Sequence, residues 1–434
     1  MRFWRLALVT DVVLAAVITT AGAQPINGVY TVDDATNTGL QVFGDLTVGS
    51  AAAGTMNILE GRLVRANGQT VIGRTIFATA GNGTINVGGN HSRLDSGNYL
   101  SLALSSGSSQ GSFGYLNITA GGQVRAPEVH LAFTGFRAEA HVTVSGSGSL
   151  LETVTLLVLR QATSPVLNST VTIGTGGTVS VGTGITVSGS PDIILDGGTL
   201  SLTGPSALPP SGIIQFNSGS LRFRSSQTLA AGTAFLTEFY GSPPVFGAGR
   251  GLTIDGTTTL STSLLLDGGA LRTSAIAVNP STGSILLNGG TLTLTGEGVV
   301  IDDGGDFGPD PLIVGDGLGA PMLLELDGAG DVLLGAVTVA ADGVLNFGGE
   351  SLIVDSLNNG GSVSLADATL DVRAGLQNGG SLGLADVVVE GDVSSPAGAT
   401  IDVAGTVVFN GNYAGAAAFY GSGTVVFNGT LSVD

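Results

Sequence analysis

Leu357-Asn-Asn-Gly-Gly-Ser-Val-Ser-Leu-Ala-Asp367 is followed by Leu376-Gln-Asn-Gly-Gly-Ser-Leu-Gly-Leu-Ala-Asp386, and each matched pair lies 19 residues apart. A short fixed period is the mark of one structural unit stacked on itself. Val363 and Leu365, then Leu370 and Val372, alternate with Ser362, Ser364, Asp371 and Arg373, the period-two pattern of short strands. Gly-Gly supplies the turn between them. The expected fold is all-β: a parallel β-helix, or β-solenoid, of about 19 residues per coil. Parallel crossovers favour the right-handed form.

The same signature extends outward from this stretch. Val407-Val-Phe-Asn-Gly411 returns as Val425-Val-Phe-Asn-Gly429, and Ile193-Ile-Leu-Asp-Gly-Gly-Thr-Leu200 returns as Leu264-Leu-Leu-Asp-Gly-Gly-Ala-Leu271 and Ile285-Leu-Leu-Asn-Gly-Gly-Thr-Leu292. Nearer the N-terminus the copies are spaced more widely. Met56-Asn-Ile58 with Val64-Arg65-Ala66 matches Leu116-Asn-Ile118 with Val124-Arg125-Ala126, 60 residues on, and Val171-Thr-Ile173 follows after a further 55. A spacing near 57 is three steps of 19, which predicts one coil length for the whole chain. Residues 205–250 break the rhythm with Pro205, Pro209, Pro210, Pro243 and Pro244 and the aromatics Phe235, Phe239, Tyr240 and Phe246, and read as a joint or insertion.

The ends and the charge complete the layout. Arg2 and Arg5 precede an apolar run from Val12 to Thr19 that closes on Ala21-Gly22-Ala23, the pattern of a secretory leader over residues 1–23. The run is shorter than the roughly 20 residues a membrane span needs, so no transmembrane segment is expected in the mature chain. Residues 24–45 read as an N-terminal cap, 46–204 as solenoid, and 251–434 as an acidic solenoid reaching the C-terminus. Without cysteine, the chain must be held by packing alone. From residue 295 onward nineteen Asp and Glu face a single Arg, Arg373. Such a surface repels nucleic acid and attracts cations or basic partners.

The run of strand, small polar corner, strand and Gly-Gly turn in Ile85-Asn-Val-Gly-Gly-Asn-His-Ser92, Leu100-Ser-Leu-Ala-Leu104 and Gly114-Tyr-Leu-Asn-Ile-Thr-Ala-Gly-Gly-Gln-Val124 resembles the repeat of bacterial type V secretion and PEP-CTERM-associated surface proteins. It covers about residues 44 to 190, and the later half resembles autotransporter passengers more loosely. The family pattern commonly has a Trp after the polar corner, where this sequence has Arg93 and Leu150. The resemblance implies a protein secreted by, or displayed on, a Gram-negative-type bacterium, as an adhesin or matrix component. The sequence ends on another coil rather than on a barrel or anchor motif. That fits release, a separate translocator, or a passenger fragment.

Stacking nominates two groups of residues. A step of 19 takes Asp371 to Glu390 and Arg373 to Asp392, giving an outward patch that could bind a ligand. Acid and base ladders of this kind serve polysaccharide lyases, but here the lone Arg has no Lys behind it. Asp302, Asp303, Asp306 and Asp310 gather around glycines, and hard oxygen ligands on such a loop suit Ca²⁺, the one cofactor considered. His91, His130 and His141 lack a metal-ligand spacing, and Gly107-Ser-Ser-Gln-Gly111 lacks the strand-to-helix setting of a nucleophile elbow. The expected function is non-enzymatic: weak multivalent contacts with glycans or other cell-surface molecules. The alternatives are a β-helix polysaccharide lyase or hydrolase, and an autotransporter passenger without its translocator. An uncovered edge at Val425 to Val433 would favour end-to-end self-association.

Overall fold

In the computed structural model the residues described are 18–20, 24–26, 28–32, 40–75, 79–105, 111–132, 138–159, 169–188, 192–279, 281–297, 300–301, 312–328 and 330–433. They form a parallel β-solenoid, with one short α-helix among them. The chain divides into two compact units, residues 1–193 and 194–434.

In the second unit the inward positions stack as an aliphatic column. Leu221, Leu252, Leu271, Leu292, Leu324, Leu345, Val363, Leu382 and Ile401 pair coil to coil and are all buried. Each such side chain contributes about 1.5–3 kcal/mol when fully buried. A coil has three strands, as in Ser362–Ala366, Thr369–Val372 and Leu376–Asn378. Here the expected 19-residue step holds: Val363 pairs with Leu382, and Leu382 with Ile401. Two steps in the column are longer, 31 residues from Leu221 to Leu252 and 32 from Leu292 to Leu324. The first contains the helix Ala234–Tyr240, and the second spans residues 302–311, which lie outside the described residues.

The stretch 205–250 is built into the coils. Ile214–Phe223 pairs with Arg250–Ser261, and Val245–Gly247 pairs with Ser263–Val278. Its aromatics face inward: Phe235, Phe239, Tyr240 and Phe246 are all buried, with Tyr240 stacked on Phe246 at 4.1 Å. The Tyr240 hydroxyl donates to the Gly251 carbonyl at 2.8 Å, and burial pushes its phenol far above the ordinary value. Arg250 donates to the Phe239 carbonyl at 2.8 Å and lies 5.4 Å from the Phe216 ring centroid, which ties the helix C-terminus to the strand beneath it.

The first unit corrects the common coil length. Met56 pairs with Ile85, Ile85 with Leu116, Leu116 with Val142 and Val142 with Val171, steps of 29, 31, 26 and 29 residues. The 60-residue spacing of the sequence copies is two long coils rather than three short ones. Each coil still has three strands, but the first and third are longer, as in Asn82–Gly88, Arg93–Ser96 and Tyr99–Ser105. The skipped coil carries the opposite charge: Arg65 pairs in register with Asp95, and Asp95 with Arg125, which pairs with Glu152. Arg93 grips Asp95 through two contacts of 2.6 and 2.7 Å, and Arg125 reaches Glu152 at 2.9 Å.

A loop of the second unit is held by one carboxylate. Asp342 accepts the Gly317 N–H on Oδ1 and the Gly319 N–H on Oδ2, both at 2.9 Å. The Gly319 amide, opposed by burial and aided by the Gly317 amide, holds the Asp342 carboxyl below the usual carboxylate range. A depressed folded-state pKa contributes stability above the unfolded value, and that stability is lost as pH falls through the folded one. Amide exchange at Gly317 and Gly319, corrected for intrinsic pH dependence, is therefore expected to lose its protection on acidification below the carboxylate range. Asp342→Ala should abolish that protection at neutral pH as well. Unchanged protection in the variant would show that the loop holds itself.

Candidate functional site

The strands that carry the duplicated sequence form one wall of a cleft. Along this wall Val337, Leu357, Leu376 and Val393 point inward and are buried, so strand alternation turns Thr338, Asn358, Gln377 and Ser394 outward. The register stacks these four in order, one per coil. Ahead of this row the lining side chains are small: Ala336 and Ser356 lie within their strands, and Ala374 at the corner between Thr369–Val372 and Leu376–Asn378. Beside these small side chains and the polar row lies a cleft of about 560 Å³ along the second unit, with Asp392, Asn412 and Ala414 among its lining residues. Asp392 is the single charged residue of that lining. Its Oδ1 accepts the Asn412 N–H at 2.8 Å.

The nominated patch is divided by the same corner. Asp371 and Glu390 are register partners, as the 19-residue step predicts, on the strand that precedes the corner. Glu390 accepts a hydrogen bond from the Asn410 amide at 2.6 Å. Arg373 makes its ion pair one coil earlier, with Asp355 at 3.4 Å, and both side chains are substantially exposed. Of the four nominated residues only Asp392 lines the cleft.

Asp302, Asp303, Asp306 and Asp310 lie outside the described residues. Among the described residues no group of three or more His, Asp or Glu side chains could hold a metal ion. The histidines are spread over the first unit. His91 sits at a corner with φ 68°, His130 stacks on Tyr99, and His141 stacks on Tyr115, so His91 and His141 do not share a position in the coil. Among the described residues no helix is long and apolar enough to cross a membrane.

Sequence reasoning missed the cleft because its polar row is written as part of the turn signal. Asn358 and Asn359 both read as corner residues before Gly-Gly, yet one faces the cleft and the other the core. Compared with known proteins, the chain matches no family model, and no curated protein matches it.

Proposed function

We propose that the chain is an exported solenoid that acts as a surface-displayed or extracellular structural and adhesive protein, holding glycan chains by weak contacts repeated along its coils. The observation that carries this reading is the cleft, where an uncharged amide or hydroxyl side chain recurs once per coil through Thr338, Asn358, Gln377 and Ser394. Parallel coils rise by about 4.8 Å, so the row offers a polymer of repeating polar units a series of equivalent contacts. Each contact contributes little, and linking them raises avidity over any single one. The leader-like N-terminus and the resemblance to secreted passenger repeats support an extracellular setting.

The full chain is expected to bind one or more polymeric glycans on an array of neutral and acidic polysaccharides, and to bind the matching monosaccharides far more weakly. Asn358→Ala with Gln377→Ala should weaken that binding about tenfold, as about 1.4 kcal/mol spread over two lost hydrogen bonds implies. Running the array with and without Ca²⁺ tests whether the acidic last third contributes. Absence of binding across the panel would overturn the reading. Shortened or unsaturated sugar products would replace it with the lyase or hydrolase alternative.

A further inference from the structure

A second surface, in the first unit, has a different chemistry. The outward residues of Gly28–Val32, Ala53–Ile58, Asn82–Gly88, Ser112–Thr119, Ala138–Ser145 and Thr170–Gly174 include two long rows on one sheet face. One row runs Val29, Thr55, Thr84, Tyr115, His141, Thr170 and the other Thr31, Asn57, Asn86, Asn117, Thr143, Thr172. The inward residues between them, such as Ile85, Leu116 and Val142, are fully buried, so the face is rigidly backed.

Within the first row the side chains change height abruptly. Tyr115 is 38% exposed, and one face of its ring is covered by the His141 ring at 5.4 Å and 17°. His141 is itself fixed from both nitrogens, with Glu139 Oε1 2.7 Å from Nε2 and Thr170 Oγ1 2.7 Å from Nδ1. A carboxylate only accepts, so Nε2 carries the proton that Glu139 receives. The other face of the Tyr115 ring looks along the row to Thr84, a short side chain in register with it. A held aromatic ring thus stands as a step above a floor of threonines.

Beside the step runs a ladder of amides. Asn117 donates to Asn86 and Asn86 to Asn57, each through Nδ2 to Oδ1 at 2.8 Å. Each such bond uses one of the two N–H groups of the donating amide, so Asn86 and Asn117 keep a second donor for a ligand. Neither row contains an Arg, and the carboxylate at the edge, Glu139, disfavours an anion.

We propose that this face is a saccharide site independent of the cleft. A sugar ring of a neutral glycan packs over Thr84 against the Tyr115 ring, and its hydroxyls accept from the amides of Asn86 and Asn117. Ring stacking supplies the apolar contact and the amide ladder the orientation, the usual division of labour in a ligand site. The proposal rests on the glycan-binding reading above for its ligand class, but on none of the same residues.

The test uses the full chain and soluble neutral oligosaccharides of glucose, galactose and mannose, with binding followed by calorimetry. Tyr115→Ala is expected to weaken binding of the best oligosaccharide about tenfold, Tyr115→Phe to retain it, and Asn86→Ala with Asn117→Ala to weaken it comparably. Because Tyr115 is exposed, an unchanged melting curve in each variant verifies the fold. Wild-type binding that survives Tyr115→Ala but falls with Asn358→Ala and Gln377→Ala overturns this site and leaves the cleft reading intact. No binding by the wild type to any neutral sugar overturns this site, and the polysaccharide array then decides the cleft separately.

Discussion

Replacing Asn378 by alanine is expected to destabilise the coils around it by about 2–5 kcal/mol, far more than a surface asparagine would. Asn359 and Asn378 are both completely buried and belong to one chain of hydrogen bonds that crosses coils. Asn359 donates from Nδ2 to Asn378 Oδ1 at 2.8 Å and to the Ser381 carbonyl at 2.9 Å, while its Oδ1 accepts the Gly361 N–H at 3.1 Å. Asn378 in turn donates to the Thr400 carbonyl at 3.2 Å. Truncation leaves an Asn359 N–H without its acceptor and removes a donor from Thr400, each inside the core, where an unmet polar group costs about 1–3 kcal/mol. The ladder also fixes register, because a slip of one residue would carry Asn358 inward and Asn359 out to water. Stability in a stacked array is local. Hydrogen exchange should therefore show the loss concentrated between Leu376 and Ala404, with the first unit unchanged. A change below about 0.5 kcal/mol, the size of an ordinary surface substitution, would mean that the ladder is incidental.

The duplicated stretch made the fold legible because its two copies lie one coil apart and its inward residues, Asn359 and Asn378 excepted, are aliphatic. The same ruler failed in the first unit for a physical reason. Met56 and Leu116 look more alike than Met56 and Ile85, so the eye pairs coils that are two apart and steps over the one between. That omission also hid the charge pattern. Arg65 and Arg125 read as a repeat of like charges, while Asp95, in register with both, supplies the opposite charge between them.

Surface features depended on register even more strongly. The Asp371–Glu390 pairing was legible because one 19-residue step defines it. The cleft was not, since its small and polar lining residues come from several coils whose steps differ: Leu357 to Leu376 is 19, but Leu376 to Val393 is 17. Tyr115 and His141 lie 26 residues apart, a spacing matched by no sequence repeat, and become neighbours only once the third long coil is counted. The helix Ala234–Tyr240 escaped notice because seven residues bounded by Gly and Pro carry too short a periodic pattern to stand out.

Gly83→Ala is expected to cost the first unit about 3 kcal/mol or more, the upper range for overpacking a tight interior. Gly83 pairs in register with Gly54 on one side and Gly114 on the other. All three are buried where their strand crosses a second backbone, the row of left-handed residues Gly49, Gly73 and Ala103 with φ of 74°, 71° and 58°. A Cβ on Gly83 would sit 2.2 Å from the Gly73 nitrogen and 2.2 Å from the Val48 carbonyl oxygen. Both are main-chain atoms that cannot rotate away, so two strands must separate, and each coil passes the displacement to the next. Gly83 does not have a positive φ, so the cost is steric rather than conformational. Gly61 provides the contrast: its φ is 77°, but the nearest atom to an added Cβ is 3.5 Å away. Gly61→Ala should then show only the roughly 1–2 kcal/mol of a left-handed alanine. Denaturant titration of the two variants in the full chain separates the effects. If Gly83→Ala proves no worse than Gly61→Ala, the close approach of the two backbones does not set the shape of the long coils, and their length must be imposed by the corners instead.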